Sequence, residues 1–367
     1  MHYPPPITES QSCSGCGSYK LKRKQRQSNI ELLRIVAMFL VLVVHADFWA
    51  NGAPSQEECT TEVLPSVTRF VIESLSIVCV DVFVLISGWF GIRPNLQRMS
   101  SFLFQCFFFL GGLYIVSLIG GFGRLSGGGI LGCFGLLEWN WFIKAYIGLC
   151  IFAPVINSYI DSADERKLRK LIIWFYIFQS AYGWIFPAAK YIESGYSVFS
   201  FVGLYLLAQY IRRYQTKRIA STGAWTFLSI YLATVIINTI WGYASKRYGL
   251  PFGDSVYYYT NPLVIIGSVS LLLTFYKLNL QSKIINWIAA SSFAVFLFHG
   301  APAMNLVFFK ANCIDIYNNH SGAMCLLYMF LFLVTVFAIS ILLDQLRIAL
   351  WSRLSSRIFK PKAYNQK

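Results

Sequence analysis

Residues 29–50 read NIELLRIVAMFLVLVVHADFWA, and this stretch decides the class of the molecule. It is mostly apolar and about 20 residues long, which at about 1.5 Å rise per residue crosses a hydrocarbon core of about 30 Å. The run KLKRKQRQ at 20–27 precedes it. Residues 1–27 carry Pro, Ser and Gly and then this basic run, with no short apolar region followed by a small-residue cleavage site. They read as a disordered tail ending in a basic anchor, and not as a secretory signal.

Similar apolar runs recur along nearly the whole chain, at 30–50, 70–92, 101–120, 138–157, 171–187, 198–211, 223–243, 256–276, 286–308 and 323–346. Only 13% of the 367 residues are charged, against about 25% in soluble domains, too few to cover a water-soluble globule. The fold class that follows is all-α: a polytopic transmembrane helix bundle of about ten spans. Residues 28–350 form the membrane domain between the 1–27 tail and a basic tail at 351–367. No soluble domain of ordinary size is left over, so any chemistry sits inside the bundle or at its mouth. The sixth run is short. The third leads into GGFGRLSGGGILGCFG (120–135), which glycine's entropic cost argues against as a helix; an outer loop or re-entrant turn is expected there.

A net charge of +15 invites a nucleic-acid partner, but the placement of the charges excludes one. Lys and Arg cluster in short segments between apolar runs, as orientation signals do. With ten spans and the N-terminus inside, 23 of the 31 Lys and Arg fall on the inner side, which predicts that both termini are cytoplasmic. Of the nine cysteines, Cys79, Cys106, Cys133, Cys150 and Cys325 read as small buried hydrophobes. Cys13 and Cys16 supply two ligands where a zinc site takes four, so no metal is expected. Cys59 and Cys313 fall in loops on the outer side, where a disulfide stays open.

In a bilayer the informative residues are ionisable ones inside spans, because each costs several kcal/mol unless paired or hydrated. The first span holds Glu31, Arg34, His45 and Asp47; the second holds Glu73 and Asp81; the fourth holds Lys144; the ninth holds His299. Arg34 and His45 project within about 20° of each other and about 16 Å apart along the axis. One face of one helix therefore carries a permanent cation near one membrane edge and a titratable imidazole deep inside. Plainer readings exist for each: Arg34 and Lys144 snorkelling to lipid phosphates, His45 packed against a backbone carbonyl, Asp81 bridging helices. Glu73 and Asp47 lie near the outer boundary and read as hydrated. By rise alone, His45, His299, Lys144 and Asp81 fall in one layer, and a shared cavity is expected.

Four segments together resemble the membrane-bound acyltransferase-3 family: Arg34, ten residues and His45 within NIELLRIVAMFLVLVVHA; VDVFVLISGWF with Asp81, Ser87 and Gly88; NWFIKAYIGLCIFAPVIN; and SSFAVFLFHGAP ending on His299. The likeness spans about 28–350. It implies a multipass enzyme of a cell membrane, the bacterial inner membrane, that moves an acyl group from cytoplasmic acyl-CoA to a hydroxyl of a carbohydrate or envelope glycan. The acyl-CoA, usually acetyl-CoA, is a substrate, and no cofactor is bound permanently. The implied catalytic set is His45, Arg34 and Asp81, with Arg34 also holding the donor; His299, Lys144, Ser87 and Trp141 are the implied substrate-binding residues. The residues suit that chemistry, since an attacking hydroxyl needs a base and histidine serves near neutral pH. Arginine grips phosphate by two parallel hydrogen bonds. The competing class is a proton-coupled transporter or flippase, which also uses intramembrane His, Asp and Arg. The internal repeat common among transporters is not visible in the sequence.

Overall fold

The computed structural model describes residues 26–135, 140–186, 192–251 and 253–359. His2, Cys13 and Cys16 lie outside the described residues, as does the start of the run expected at 138. Among the described residues the chain is helical throughout, with no strand. Eleven principal helices follow one another: α1 Ser28–Trp49, α2 Val63–Phe90, α3 Leu96–Ile119, α4 Trp141–Ser162, α5 Glu165–Ser180, α6 Val198–Tyr214, α7 Ala224–Tyr248, α8 Ser255–Tyr276, α9 Lys283–His299, α10 Pro302–Asn319 and α11 Gly322–Ile358.

Seven of these are long and apolar enough to cross a membrane, and an eighth crossing results if α9 and α10, bent by 59°, form one broken span. The protein is a multi-pass membrane protein. The described parts of the expected runs land on helices, the run at 286–308 across the bend between α9 and α10, but α5 and α6 fall short of spanning by themselves. The first opens on the charged ERKLRK segment, and the second is 17 residues long and ends on Arg212 and Arg213. The last helix continues to Ile358, so residues 351–358 extend it rather than beginning a tail.

Local chemistry sets the ends. Asp164 accepts from Lys167 N (2.7 Å) to start α5, and Asn95 accepts from Arg98 N (2.8 Å) to start α3, each satisfying an otherwise orphaned first-turn donor. Helix α2 stops at Gly91, where φ is +77°, a conformation glycine adopts freely. The Gly88 of the ISGWF motif has a packing reason: an added Cβ would lie 2.8 Å from Ala208 Cβ and 3.0 Å from the Tyr205 backbone. Helices α2 and α6 touch there, the close approach that small residues permit between membrane helices.

The glycine-rich stretch is a finding against expectation. Gly127–Cys133 forms a short helix, started by Ser126, whose hydroxyl accepts from Gly129 N (3.0 Å). The Tyr114 hydroxyl on α3 donates to Arg124 O (3.0 Å) and accepts from Ser126 N (3.1 Å). Contacts from a neighbouring helix thus outweigh the low propensity of the glycines. Cys59 and Cys313 are both buried and free, so no disulfide joins them. Two cations near helix ends, Arg69 and Arg347, are buried in ion pairs with Asp47 and Asp344.

Candidate active site

Helix α1 keeps one stripe of residues facing inward. Met38, Val41, His45 and Trp49 recur at three- and four-residue spacing and line a cavity of about 750 Å³. Arg34 continues that stripe one turn before Met38. From His45 to Trp49 the helix is of π type, a local widening that recurs at functional sites. After its first turn, Pro302–Met304, helix α10 carries another π segment, Asn305–Lys310, and Asn305 and Leu306 line the same cavity. Helix α2 presents Glu73, Ile77, Val80 and Phe83 to it, and Ser87 extends that row. Because α1 and α2 run antiparallel, Glu73 lies toward the His45 end and Ser87 toward the Arg34 end. Trp141 and Phe142 close a third side. Tyr146, one turn on, stacks on Phe142 and brings its hydroxyl within 3.5 Å of Ser87 Oγ.

The centre of the site is a histidine pair. His45 Nδ1 and His299 Nε2 are 2.7 Å apart, and His299 Nδ1 bonds the Val295 carbonyl. A carbonyl only accepts, so His299 carries its proton on Nδ1. A neutral His299 therefore presents a lone pair at Nε2, and His45 Nδ1 must be the donor. Neutral His45 is left with its lone pair on Nε2, the nitrogen with no hydrogen-bond partner among the described residues, and His45 is the member of the pair that faces the cavity. His299 is 1% exposed and stands behind it. The Asn305 amide donates to the His299 carbonyl (2.9 Å), fixing the end of α9 just before the bend.

Other expected residues are placed less centrally. Arg34 is paired with Glu31, one turn earlier on its own helix, with 28% of its side chain accessible. Asp81 is 1% exposed, off the cavity, and both its carboxylate oxygens lack partners among the described residues. It bonds to neither imidazole. Lys144 is exposed on the outside of α4, away from the cavity. The expected shared cavity therefore takes in His45, with His299 directly behind it, and not Lys144 or Asp81. Rise fixes height but not direction, and at about 100° per residue Lys144 turns away from the face that buries Ile143, Ala145 and Leu149.

Two residues that read as hydrated are not. Asp47 accepts from Arg69 Nε at 2.6 Å. Arg69 also bonds the Gly52 carbonyl and the Tyr317 hydroxyl, and its guanidinium lies over the Phe48 and Tyr317 rings. This cluster pins the outer end of α1 to α2 and α10. Glu73 is 3% exposed, lines the cavity, and has Oε2 without a partner. Its signal in the sequence was the spacing 73–77–80, which puts it on the inward row of α2; Asp81 falls about 100° off that row. Tyr196, Tyr257, Tyr258 and Tyr259 complete the wall from loops and from the start of α8, and no periodic pattern announced them.

A bundle of membrane helices with a cavity among them and a hydrogen-bonded histidine pair at its wall defines a multi-pass membrane protein with a polar centre inside the bundle. The model of the acyltransferase-3 family, described as an acyltransferase domain, matches residues 27–345, and the chain belongs to that family. It is thus a membrane acyltransferase. Neither curated proteins nor solved structures give a match to the chain. With the family shown, the transporter reading has no observation to carry it.

Proposed function

We propose that the chain is an O-acyltransferase that moves an acyl group, acetyl in the simplest case, from acyl-CoA to a hydroxyl of a carbohydrate or cell-envelope glycan. The observation that carries this is the His45–His299 pair, which leaves His45 Nε2 with a free lone pair at the wall of the cavity. The acceptor O–H gives its proton to His45 Nε2 while its oxygen attacks the thioester carbonyl. The tetrahedral intermediate collapses with cleavage of the C–S bond. The sulfur leaves as CoA thiolate and takes the proton back from the His45 imidazolium. During the step His45 Nδ1–H stays bonded to His299, which holds the ring in place and shares the new positive charge.

In this reading the rows from Arg34 to His45 and from Ser87 to Glu73 flank a path along α1 and α2, of which the cavity covers the part from His45 and Glu73 to Met38 and Phe83. The path suits a pantetheine arm, with Arg34 at its entrance for the CoA phosphates. Ser87 and Tyr146 would lie along the arm and Trp141 beside the acceptor. Lys144, exposed on the bundle, has no part in this scheme, and Asp81 has none that its contacts suggest. The reading includes ten membrane crossings, both termini cytoplasmic, in a bacterial inner membrane. Reporter fusions after Lys170 and at the C-terminus should report cytoplasm and one near Gln56 the exterior; an external C-terminus would end the ten-span topology. The test of the chemistry is mass spectrometry of envelope glycans from cells with and without the gene, alongside His45→Ala in the reconstituted protein. A glycan acyl mass should vanish with the gene. His45→Ala should lower turnover with acetyl-CoA by about 10²–10⁴-fold while insertion is kept. Undiminished turnover in that variant would remove His45 as the base.

A further inference from the structure

Glu73 is a buried carboxylate that the proton transfer at His45 does not use. It sits inside a membrane helix, 3% exposed, and Oε2 has no hydrogen-bond donor among the described residues. Such a group is costly to keep in a bilayer, and an apolar residue of similar size would pack the same wall. Asp47, on α1, shows the alternative: its Oδ1 accepts from Arg69, although its Oδ2 has no partner among the described residues, and it stands outside the cavity wall. Glu73 instead faces the cavity that holds His45, and among the described residues it is the one acidic side chain in that wall. Whether ionised or protonated, a carboxyl group accepts hydrogen bonds at its oxygens. What would satisfy it has to bring donors and must fit against aromatic faces, because Trp49, Trp141, Tyr196 and Tyr257 line the same space.

Building on the acyltransfer reading, we propose that Glu73 is the acceptor-orienting residue: it holds a hydroxyl of a neutral pyranoside ring next to the one that attacks. A sugar ring offers several O–H donors at its edge and C–H faces that pack on aromatic rings. Two adjacent hydroxyls divide between the two polar walls. One donates to His45 Nε2 and is acylated; its neighbour donates to Glu73 and fixes which position that is. Glu73 is thus a positioning residue for the choice of hydroxyl. Its carboxylate is retained against the stability of the empty protein, so Glu73→Leu and Glu73→Gln should fold, insert and melt at least as high as the wild type.

The test uses the full chain in lipid nanodiscs and begins without any acyl donor. Methyl pyranosides of glucose, galactose, mannose and N-acetylglucosamine are titrated by calorimetry, and the tightest binder is followed by its monodeoxy series. The expected result is that one deoxy position weakens binding to the wild type by about tenfold, the scale of a buried hydrogen bond. The same deletion should change nothing in Glu73→Leu, which already binds the parent sugar that much more weakly. Equal binding of the parent sugar to the wild type and Glu73→Leu would overturn the proposal. So would deoxy penalties that are the same in both proteins, binding of an amine-bearing analogue alone, or no pyranoside binding to the wild type. Adding acetyl-CoA separates the two readings. Glu73-dependent sugar binding without any acyl transfer would leave this assignment standing and remove the acyltransfer chemistry. Acyl transfer that proceeds at the wild-type rate and position in Glu73→Leu would remove only the role of Glu73.

Discussion

Two buried acidic residues invite comparison. Asp344 on α11 is 0% exposed and fully engaged: Arg347 donates to both its oxygens, at 2.8 and 2.6 Å, and Gln105 on α3 donates at 3.0 Å. Glu73 on α2 is nearly as buried and keeps Oε2 unpaired beside a cavity. The first arrangement ties two helices together and leaves nothing for a ligand. The second ties nothing and leaves an acceptor atom free. Burial of charge by itself therefore does not mark a site in this bundle; the unfilled valence next to open space does. His45 obeys the same rule, with one nitrogen committed to His299 and the other free.

The largest effect on this contrast should come from Asp344→Ala. It strands Arg347 in the bilayer and should destabilise the protein by about 3–5 kcal/mol in denaturation of the detergent-solubilised chain. Joint replacement of Asp344 and Arg347 by leucine should recover most of that loss, because no charge is left unpaired. If Asp344→Ala is as stable as the wild type, the distinction between engaged and free carboxylates is lost. Next comes His299. Leucine there removes the acceptor for His45 Nδ1–H and should lower kcat by about 10–100-fold with little change in KM. Glutamine, whose amide oxygen can take the same proton, should restore part of it. Equal losses in both variants would reduce His299 to a packing residue.

A smaller change is expected at the other end of α1. Arg34→Lys keeps the charge and loses the paired donors, and should raise KM for acetyl-CoA by about tenfold while transfer at saturation persists. An unchanged KM would leave Arg34 with its Glu31 partner alone. Lys144→Ala should do least, within about 0.5 kcal/mol in stability and without measurable change in turnover. A large loss there would mean that the exposed face of α4 contacts a substrate or partner.

These expectations show how far the sequence could be read. The face shared by Arg34 and His45 was legible because both lie on one helix, where spacing converts directly into angle. The same arithmetic, applied to α2, would have placed Glu73 inward and Asp81 off the row; depth alone suggested the reverse. Lys144 was misplaced for the same reason. The short Gly127–Cys133 helix was hidden because its support comes from Tyr114 on another helix.

By itself the sequence determined a helical membrane protein, its family, and the residue types at the ends of the first helix. These follow from local quantities: apolar length against bilayer thickness, and the turn of a single helix. Only the tertiary structure decided that His299 fixes the tautomer of His45 across 254 positions of chain, that Arg69 takes Asp47 out of the site, and that Glu73 Oε2 has no partner among the described residues. Each of those depends on which helices pack together and how each is rotated about its own axis. That rotation is settled by close contacts such as Gly88 against Ala208, and no spacing within one helix records it.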